Sequence, residues 1–589
     1  MNKSHTFFLK YEKRLKYSLI VIGILFIFIG ISMDWLKAWL VAIGDSYAGD
    51  GDCCICKNYV DFIKPIFIII GIFLSFTLLF KKQIIKLYEK CAIKPKNALA
   101  ILLILIFITL ALIAYFPFHN YPFCMDEYNY LYQAKIFTKG ILFIEVPEKF
   151  ESFREEYMVL KDNKLFSKYP PGFPLLLSIG ALLNIAGLIN PLIAIITLIT
   201  LYYFVKTLLG TKYGLLSVIL MSTTPYFLGY SASFFSQPTS LLLTTLIFFS
   251  VRQYELSSKG IYLLLLGIFS GYSFLTRPLD SFCVLVPSYF YLMYLLYKRK
   301  DLKKASYPIF TFVTIFALFL TYNYILTGKI SIATYPIVTG EFKVVDPHTE
   351  GFFDNLKSIS ISYVKNGVEW IPELLFRYFL IPTALFVPLF AIFGFFKFKS
   401  KWKWILILNF LMLIFFYNFH AGYGWPQYGA RYYYSGFISL VILATVGFKY
   451  FFEMLKNKSQ IMHLVIIVFC THLVFSFIAI SQYSDRFKIR LAISEDIINS
   501  CPDNSIVILG EKIDNTVKPN CFRTPSFVDF IDAKRNLFMN TSRLITLNDR
   551  HLDLHQIKSN FPNHSICYYD YDISKYFLLR TLAESTQLN

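Results

Sequence analysis

Long apolar runs alternate with short polar segments along most of this chain, and the runs have the length of membrane spans. A helix needs about 20 apolar residues to cross the roughly 30 Å hydrocarbon core, because it rises about 1.5 Å per residue. The pattern predicts about thirteen spans, near residues 17–33, 61–80, 98–116, 190–209, 214–229, 236–251, 261–276, 280–297, 306–326, 373–396, 403–419, 436–452 and 461–481. The expected fold class is therefore an all-α polytopic membrane protein.

The apolar stretch 172–190 is left out of these spans because of the charges in the later loops. If it crossed the membrane, every later loop would change sides. If it lies in the outer interface and the N-terminus is inside, the basic clusters face the cytoplasm, as the positive-inside rule requires. These clusters include Lys298, Arg299, Lys300, Lys303, Lys304, Lys397, Lys399, Lys401, Lys403 and Lys449. We therefore predict an outer interfacial helix for this stretch.

Composition supports membrane burial and argues against a nucleic-acid partner. Apolar residues make up 56% of the chain and charged residues only 16%, against about 25% charged residues in soluble domains. The 57 basic and 38 acidic residues give a net charge of +19. The positive charge lies in short clusters between apolar runs, which is typical of cytoplasmic loops and not of a phosphate-tracking groove.

This topology leaves four segments outside the cytoplasm, at about 34–60, 117–189, 327–372 and 485–589. The first carries Cys53, Cys54 and Cys56, for which a disulfide and a metal knot both stay open. The last alternates strand-like runs at 505–509, 543–547 and 565–569 with polar stretches, which predicts a small α/β domain. The domains expected are an extra two-helix region (1–97), a catalytic membrane region (98–484) and an extracytoplasmic α/β domain (485–589).

Two adjacent carboxylates, Asp126 and Glu127, follow the third predicted span by about ten residues. Aromatic residues around them are expected to hold the segment at the headgroup level; they are Tyr121, Phe123, Tyr128, Tyr130 and Tyr132. An amphipathic helix is predicted from Glu127 onward, so Asp126 lies near its amino end, where the helix dipole favours an ionised carboxylate. Capping of this helix is an equally good interpretation of the pair.

Basic residues recur in the same outer positions. Lys168 precedes the rigid turn from Tyr169 to Pro174 and suits either an interfacial anchor or a phosphate ligand. Arg277 lies between two spans, where it needs an anionic partner, either Asp280 or a lipid phosphate. His420 and Arg431 gather with several tyrosines before the twelfth span. Arg431 is the best candidate for a phosphate ligand, because a guanidinium can make two parallel hydrogen bonds to phosphate oxygens.

The order of these motifs resembles the GT-C glycosyltransferases of the dolichyl-phosphate-mannose protein mannosyltransferase and ArnT-like group. The resemblance covers about residues 98–452. It is carried by Asp126 and Glu127 after a membrane exit, by Tyr169, Pro170, Pro171, Gly172, Phe173 and Pro174, by Phe274, Leu275, Thr276, Arg277 and Pro278, by Tyr322 and Asn323, and by Gly429, Ala430, Arg431 and Tyr432. It implies a polyprenyl-phosphate-linked sugar donor, a catalytic acid in the first large outer loop, and an active site facing away from the cytoplasm.

A sugar carried on a lipid phosphate leaves as a phosphate anion, so protonation of the leaving group matters less than in a glycosidase. One base must deprotonate the acceptor hydroxyl, and cations must stabilise the departing phosphate. We predict inversion with Asp126 as base, and Glu127 as the alternative base or an orienting group. The predicted lipid-phosphate and substrate ligands are Lys168, Tyr169, Arg277, Asn323, His420, Arg431 and Tyr432. No metal is assigned, although some members of the wider superfamily use a divalent cation.

Two other functions compete with this hypothesis. A transporter or flippase of lipid-linked sugars would also be polytopic and bind phosphate through arginine, but transporters usually show internal repeats with broken helices, and none is visible here. A membrane scaffold would leave the convergence of acidic and basic residues on one side unexplained. We expect a glycosyltransferase of a bacterial inner membrane, with its active site on the periplasmic side. Its expected partners are the lipid-linked donor, membrane lipids and a lipid, glycan or protein acceptor.

Overall fold

The structure, a computed structural model, describes residues 95–146, 158–330, 386–417, 428, 430–455, most of 468–484 and three strands of the tail. The predicted spans near 17–33 and 61–80, the Cys-rich loop and His420 lie outside the described residues. The described part is mainly helical, as the sequence predicted. Because of these gaps, the count of spans stays a prediction.

The helices of the membrane region follow the predicted apolar runs closely. They are α1 (Pro95–Tyr115), α2 (Met125–Thr138), α3 (Gly172–Leu182), α4 (Ile189–Leu209), α5 (Thr211–Ser222), α6 (Pro225–Ser231), α7 (Gln237–Ser257), α8 (Ile261–Thr276), α9 (Pro278–Lys298), α10 (Ser306–Thr327), α11 (Phe386–Lys397), α12 (Trp402–Tyr417) and α13 (Phe437–Leu455). Short 3₁₀ turns at Ala186–Leu188, Leu302–Ala305 and Arg431–Gly436 precede α4, α10 and α13.

Five of these helical segments are long and apolar enough to cross a membrane. They are Asn97–Tyr115, Ala186–Leu209, Pro278–Lys298, Leu302–Thr327 and Arg431–Leu455. The first and fourth of them bury only 28% and 22% of their most apolar windows inside the protein, which leaves most of their apolar surface for lipid. The chain is therefore a multi-pass membrane protein.

The bundle has two chemically distinct ends. Helices α9 and α12 run antiparallel: the Tyr417 hydroxyl at the end of α12 bonds Asp280 at the start of α9. At the other end, Lys401 bonds Tyr294, one turn before α9 ends. We call this second end the lysine-rich end, and it carries Lys298, Lys300, Lys401, Lys403 and Lys449. Asp280 therefore lies at the opposite end from the basic loops. Asp126 lies at the same end as Asp280, because it bonds Arg431, whose neighbour Tyr432 stacks on Tyr417.

The stretch 172–190 does not cross the bundle. Helix α3 has 11 residues and is about 16 Å long, roughly half the hydrocarbon thickness. At its start, the Gly172 carbonyl accepts a hydrogen bond of 2.7 Å from Tyr272 near the end of α8. After its end, Asn190 donates to the carbonyls of Ser233 and Phe235, just before α7 begins. Both ends of the stretch thus lie at the Asp126 end, in agreement with the interfacial position predicted from the charges.

The span predicted near 214–229 consists of two helices instead of one. The segment is broken into α5 and α6 at Thr223 and Thr224. Pro225 has no backbone N–H and therefore cannot continue an i to i−4 ladder. The Thr224 hydroxyl instead caps the new helix by accepting a hydrogen bond of 3.3 Å from the Phe227 N–H. The two short helices together connect the lysine-rich end to the Asp126 end.

A small antiparallel sheet, absent from the sequence-based prediction, lies in the outer loop between α2 and α3. It consists of β1 (Ile144–Glu145), β2 (Met158–Lys161) and β3 (Lys164–Ser167), with β3 in the centre. Asp162 and Asn163 have φ of 49° and 58°, as a two-residue hairpin turn of type I′ requires. The Lys164 ammonium donates 3.1 Å to the Ile325 carbonyl, which fixes this sheet to the carboxyl end of α10 and suits the helix dipole.

Three strands of the tail occupy the positions that the sequence predicted. They are β4 (Ser505–Glu511), β5 (Arg543–Leu547) and β6 (Ser565–Tyr571), and they form a parallel sheet in the order β5-β4-β6. Parallel neighbours need crossover connections, as in an α/β domain. Those connections lie outside the described residues, so the α/β domain itself stays a prediction. Cys567 in β6 is disulfide-bonded.

Candidate active site

The centre of the site is an ion pair between Asp126 and Arg431. Asp126 lies in the first turn of α2, and Nη1 of Arg431 donates to its Oδ2. The two side chains are only 12% and 13% exposed, so their attraction is screened far less than on a surface. The sequence named both residues, and the structure brings them into contact.

Aromatic packing holds the two partners of this ion pair together. Tyr428, three residues before Arg431, stacks on Phe118 with ring centroids 5.4 Å apart and also contacts Phe123 at 6.3 Å. The Tyr428 side chain lies so close to Gly229 of α6 that a Cβ there would be 2.9 Å from its Cβ, Cγ and Cδ1 atoms. One cluster of rings thus positions both the segment before Asp126 and the segment before Arg431.

The aromatic residues around Asp126 pack inside the protein instead of contacting lipid headgroups, which the sequence analysis expected to hold this segment in place. All five are buried inside the protein, with exposed fractions of 1–5%: Tyr121, Phe123, Tyr128, Tyr130 and Tyr132. Tyr130, for example, packs edge-on against Phe173 of α3, with centroids 5.3 Å apart. The sequence showed an aromatic cluster near the bilayer surface but not the α3 helix that covers it. Helix α2 is therefore an internal element of the site.

Glu127 is fully buried beside Asp126, and its Oε2 accepts a hydrogen bond of 2.8 Å from the Phe123 N–H. This bond ties Phe123, the residue before the N-cap, to the first turn of α2, whereas the N-cap residue Cys124 makes no side-chain cap bond. Cys124, the residue before α2, has a thiol that donates to Asp126 Oδ2 over 3.8 Å. Burial, together with the negative charges of Asp126 and Glu127, raises the pKa of the Cys124 thiol well above its usual value.

A second buried ion pair joins Arg277 and Asp280. Arg277 is both the C-cap of α8 and the N-cap of α9. Its Nε donates a hydrogen bond of 3.0 Å to Asp280 Oδ2. Ser240 of α7 donates to the same oxygen over 2.8 Å, and Tyr417 of α12 bonds the other oxygen, Oδ1. Both oxygens of Asp280 are therefore engaged, which is the intramolecular alternative that the sequence left open for Arg277.

Tyr432 lies between the two ion pairs. The Arg431 guanidinium carbon is 5.1 Å from the centre of its ring, and that of Arg277 is 5.9 Å from it. Arg431 Nη2 also donates to the Tyr432 hydroxyl over 3.4 Å. Such cation–π contacts keep guanidinium groups in place in partly buried sites. The two arginines are thus brought to one aromatic side chain.

Contacts with α2 connect Lys168 and Tyr169 to the site. The Tyr169 ring is 4.7 Å from the ring of Tyr130, one turn after Asp126, and the Lys168 ammonium lies 5.1 Å from the centre of the Tyr169 ring. The buried amide of Gln133 fixes the approach to this segment, because its Oε1 accepts 2.9 Å from the Ser167 N–H. The rigid turn before α3 is therefore attached to the helix that carries Asp126.

Asn323 takes a more peripheral position among the predicted residues. It is buried in the last turns of α10, as are Tyr322 and Leu326 on either side of it in the sequence. Those two neighbours pack against Val159 and Phe166 of the hairpin. The structure therefore places Asn323 at the hairpin side of the site. The predicted role of His420 is not tested, because this residue lies outside the described ranges.

Ser240 and Tyr417 are the site residues that the sequence analysis missed. Each lies at the end of a predicted apolar span and carries no motif. The available signal was Asp280 itself, since a carboxylate buried between spans requires several donors from neighbouring helices. Knowing that α7 and α12 neighbour α9 would have identified Ser240 and Tyr417, but one sequence does not give helix adjacency.

The arrangement favours an anionic ligand. Three of the helices that contribute to the ion pairs do so from their amino-terminal turns, which carry Asp126 in α2, Ser240 in α7 and Asp280 in α9. Helix amino ends bear partial positive charge. Among the residues of the described ranges, no group of three or more His, Cys, Asp or Glu side chains is placed to hold a metal ion.

Comparison with known proteins supports the resemblance seen in the motifs. Residues 168–325 match the sequence model of a family described as dolichyl-phosphate-mannose-protein mannosyltransferase. The match includes Lys168, Tyr169, Arg277 and Asn323, whereas Asp126 and Arg431 lie outside it. No curated protein matches this sequence.

Solved structures similar to this chain are distant in sequence. ArnT from Cupriavidus metallidurans bound to undecaprenyl phosphate has 9% identity and a TM-score of 0.46, with 80% of this chain and 88% of that chain covered. The Archaeoglobus fulgidus oligosaccharyltransferase in complex with Zn and sulfate has 11% identity and a TM-score of 0.44, with 75% and 62% covered. The family match confirms the predicted resemblance over residues 168–325, which carry the sequence pattern of the dolichyl-phosphate-mannose-protein mannosyltransferase family.

Proposed function

We propose that this protein transfers a sugar from a polyprenyl-phosphate-linked donor to an acceptor hydroxyl. The observation that carries the proposal is the buried Asp126–Arg431 ion pair beside the Arg277–Asp280 pair, at the end of the bundle opposite the basic loops. Such a site holds a carboxylate that can accept a proton and guanidinium groups that can bind phosphate oxygens. A family named for a dolichyl-phosphate-linked sugar matches the segment that contains Arg277.

In the proposed reaction the acceptor oxygen attacks the anomeric carbon while Asp126 takes the hydroxyl proton. The bond from that carbon to the phosphate oxygen breaks, and its electron pair leaves on the lipid phosphate. Arg431, Arg277 and Lys168 stabilise this developing negative charge. A single displacement inverts the anomeric configuration. Both oxygens of Asp280 already accept hydrogen bonds from Ser240, Arg277 and Tyr417, which leaves Asp126 as the better choice of base.

Charge arithmetic also favours an anion. The three carboxylates Asp126, Glu127 and Asp280 balance Arg277, Arg431 and Lys168 in formal charge. The amino ends of α2, α7 and α9 add positive potential to this neutral set. A lipid phosphate that displaces the Asp126 carboxylate from Arg431 would both occupy the guanidinium and release the base. The positive potential would compensate the charge that the phosphate brings.

We place the site on the outer side of a bacterial inner membrane. The lysine-rich end is the cytoplasmic end by the positive-inside rule, so Asp126 and Arg431 face the periplasm. The disulfide of Cys567 supports the same side for the tail, because disulfides persist in oxidising compartments. The membrane region 98–484 is then the catalytic domain.

A transporter of lipid-linked sugars is the second candidate, but transporters bind substrate near the bilayer midplane. The two ion pairs lie instead at one end of the bundle, where Arg277 links the end of α8 to the start of α9. Access from one side suits an enzyme whose product stays on that side.

The direct test supplies purified full-length protein with a panel of polyprenyl-phosphate sugars and measures release of free lipid phosphate. Wild type should release it and Asp126→Ala should not, with and without a chelator of divalent metals. Undecaprenyl phosphate, the ligand in the ArnT structure, serves as the binding probe. Transfer from a nucleotide sugar alone, or retention of the anomeric configuration, would contradict the proposal.

A further inference from the structure

Tyr417, the last residue of α12, contacts both members of the second ion pair. Its hydroxyl oxygen accepts 3.0 Å from Nη2 of Arg277 and donates its proton to Oδ1 of Asp280. The side chain is buried, so water competes little for these bonds. Within the described part of the chain, Arg277 uses Nε and Nη2 for Asp280 and Tyr417. Nη1 is then the nitrogen left to bind a phosphate oxygen.

The ring of the same tyrosine lies flat against Tyr432. Their centroids are 4.5 Å apart and the planes differ by 8°. Tyr432 in turn lies beneath the guanidinium groups of both Arg277 and Arg431. Contacts therefore run without interruption from Asp280 through Tyr417 and Tyr432 to Arg431.

We infer that Tyr417 is a positioning residue that sets the two arginines in one geometry for the donor phosphate. Its hydroxyl orients Arg277, and its ring holds Tyr432 under Arg431. The inference rests on the proposed function, since it names the group that arranges the phosphate ligands of that site. It assigns separate tasks to two parts of one side chain, and these can be separated by substitution.

Tyr417→Phe removes the hydroxyl and keeps the ring, whereas Tyr417→Leu removes both. The first should release Arg277 alone, because stacking on Tyr432 survives. The second should release Arg277 and also loosen Arg431, because Tyr432 loses its stacking partner. A residue that served only to fill space would not produce this difference between the two variants.

A control variant exists at the lysine-rich end of the bundle. Tyr291 of α9 donates 2.6 Å from its hydroxyl to Oε1 of Glu255, a partly buried carboxylate that Arg252 and Trp402 also bond. Tyr291→Phe therefore removes a tyrosine–carboxylate hydrogen bond of the same kind, far from Arg277. Any general loosening of the bundle caused by a lost bond of this kind should appear in it too.

The experiment measures the rate at which phenylglyoxal modifies each arginine in the full-length protein, located by mass spectrometry. It needs no donor and no activity. We expect Tyr417→Phe to raise modification of Arg277 by about tenfold, the effect of losing one hydrogen bond to a charged group, and to leave Arg431 unchanged. Tyr417→Leu should raise both. Arg252 and Arg299, which lie at the lysine-rich end, should keep their rates in both variants, and Tyr291→Phe should leave Arg277 and Arg431 as they are.

A second arm repeats the labelling with undecaprenyl phosphate present, which should protect Arg277 and Arg431 in wild type and protect them less in Tyr417→Phe. Labelling that follows the expected pattern without protection in wild type would refute the proposed donor and leave the positioning role standing. Protection in wild type with equal rates in wild type, Tyr417→Phe and Tyr417→Leu would overturn the positioning role and leave the donor standing. Faster labelling of every arginine in Tyr417→Phe would also overturn it, because the role would then be merely structural.

Discussion

Asp126 and Arg431 are separated by 305 residues in the chain and joined by a buried ion pair at one end of the membrane bundle. In this contact Oδ2 of Asp126 accepts hydrogen bonds from Nη1 of Arg431 and from the Cys124 thiol, so this oxygen is not free to take the acceptor proton. A base at this position therefore works best once Arg431 has turned to another anion. The geometry links deprotonation of the acceptor to occupation of Arg431 by the donor phosphate.

Replacement of Asp126 by Asn should abolish turnover while the donor still binds. An amide keeps the shape of the side chain but cannot take the acceptor proton, so transfer should fall by about 10²–10⁴-fold. Binding of undecaprenyl phosphate should persist or tighten, since Arg431 loses its internal carboxylate. Release of lipid phosphate and ligand binding, measured on the same preparation, separate the two effects.

Glu127→Gln is the matched control for this variant. A glutamine oxygen can still accept the Phe123 N–H that Glu127 now binds at 2.8 Å, so the start of α2 should keep its structure and turnover should fall only a few-fold. If Glu127→Gln abolished transfer and Asp126→Asn preserved it, Glu127 would be the base.

Loss of Arg277 should destabilise the protein strongly, and loss of both partners should not. Arg277→Met leaves the Asp280 carboxylate buried with Ser240 and Tyr417 as its remaining donors among the described residues. Breaking a buried pair in this way typically costs about 3–5 kcal/mol in the free energy of unfolding, whereas replacing both partners by apolar residues is often neutral. Arg277→Met with Asp280→Leu should therefore regain most of the lost stability.

Unfolding of the single and double variants in detergent, followed by helical circular dichroism, measures this difference. Lys304→Met is the control, because its pair with Asp301 is at the surface with side chains 33% and 39% exposed, and surface pairs contribute little. Equal destabilisation of the single and double variants would show that the Arg277–Asp280 pair is not the source of the effect.

Gly172→Ala should disturb the site although the change is only one methyl group. A Cβ at this position would lie 2.5 Å from the Thr276 hydroxyl and 2.7 Å from the Leu275 carbonyl group. Backbone cannot yield as a side chain can, so either α3 or the end of α8 must move. Arg277 follows immediately after these residues. We therefore expect the release of lipid phosphate to fall at least tenfold.

Gly260→Ala tests the same kind of change at the other end of α8. Its Cβ would approach the Tyr307 ring at 2.7 Å, and this ring is 43% exposed, so it can swing away. Lipid phosphate release by this variant should stay near that of wild type. Equal losses in both variants would mean that α8 tolerates no added bulk anywhere and would remove the special role of Gly172.

The structural features that the sequence could predict are those whose causes lie within one short segment of the chain. The apolar runs fixed α1, α4 and α9 within a few residues, because each helix satisfies its own backbone in the membrane. The break at Thr224 and the hairpin turn at Asp162 and Asn163 also have local causes, but neither changes the length of an apolar run, and so neither was predicted.

The site was predictable in its members but not in its contacts. Asp126, Arg277 and Arg431 stood out as charges next to apolar spans, where a charge needs a reason. Their partners depend on which helices are neighbours: Asp126 meets Arg431, and Asp280 receives Tyr417 from a helix 137 residues away in sequence. Adjacency of this kind results from packing of the whole bundle, which one sequence does not specify.

Cysteines introduced at positions 184 and 300 should react with a maleimide from opposite sides of the membrane. Asn184 follows α3 and Lys300 follows α9, both side chains are exposed, and both have left-handed backbone with φ of 56° and 58°. Cysteine substitution at the two positions therefore imposes similar local strain. In intact cells a membrane-impermeant maleimide should modify Asn184→Cys, and should modify Lys300→Cys only after permeabilisation, with mass spectrometry identifying the labelled peptide.

This outcome follows from the 11-residue length of α3 and from the directions of the helices after it. If 172–190 turned back in the outer interface, α4, α5 with α6, α7, α8 and α9 would each reach the opposite end, and Lys300 would face the cytoplasm. Labelling of both cysteines in intact cells would place the basic loop outside, against the positive-inside rule. Labelling of Lys300→Cys alone would put Asp126 and Arg431 in the cytoplasm, where a nucleotide sugar, and not a lipid-linked one, would be the expected donor.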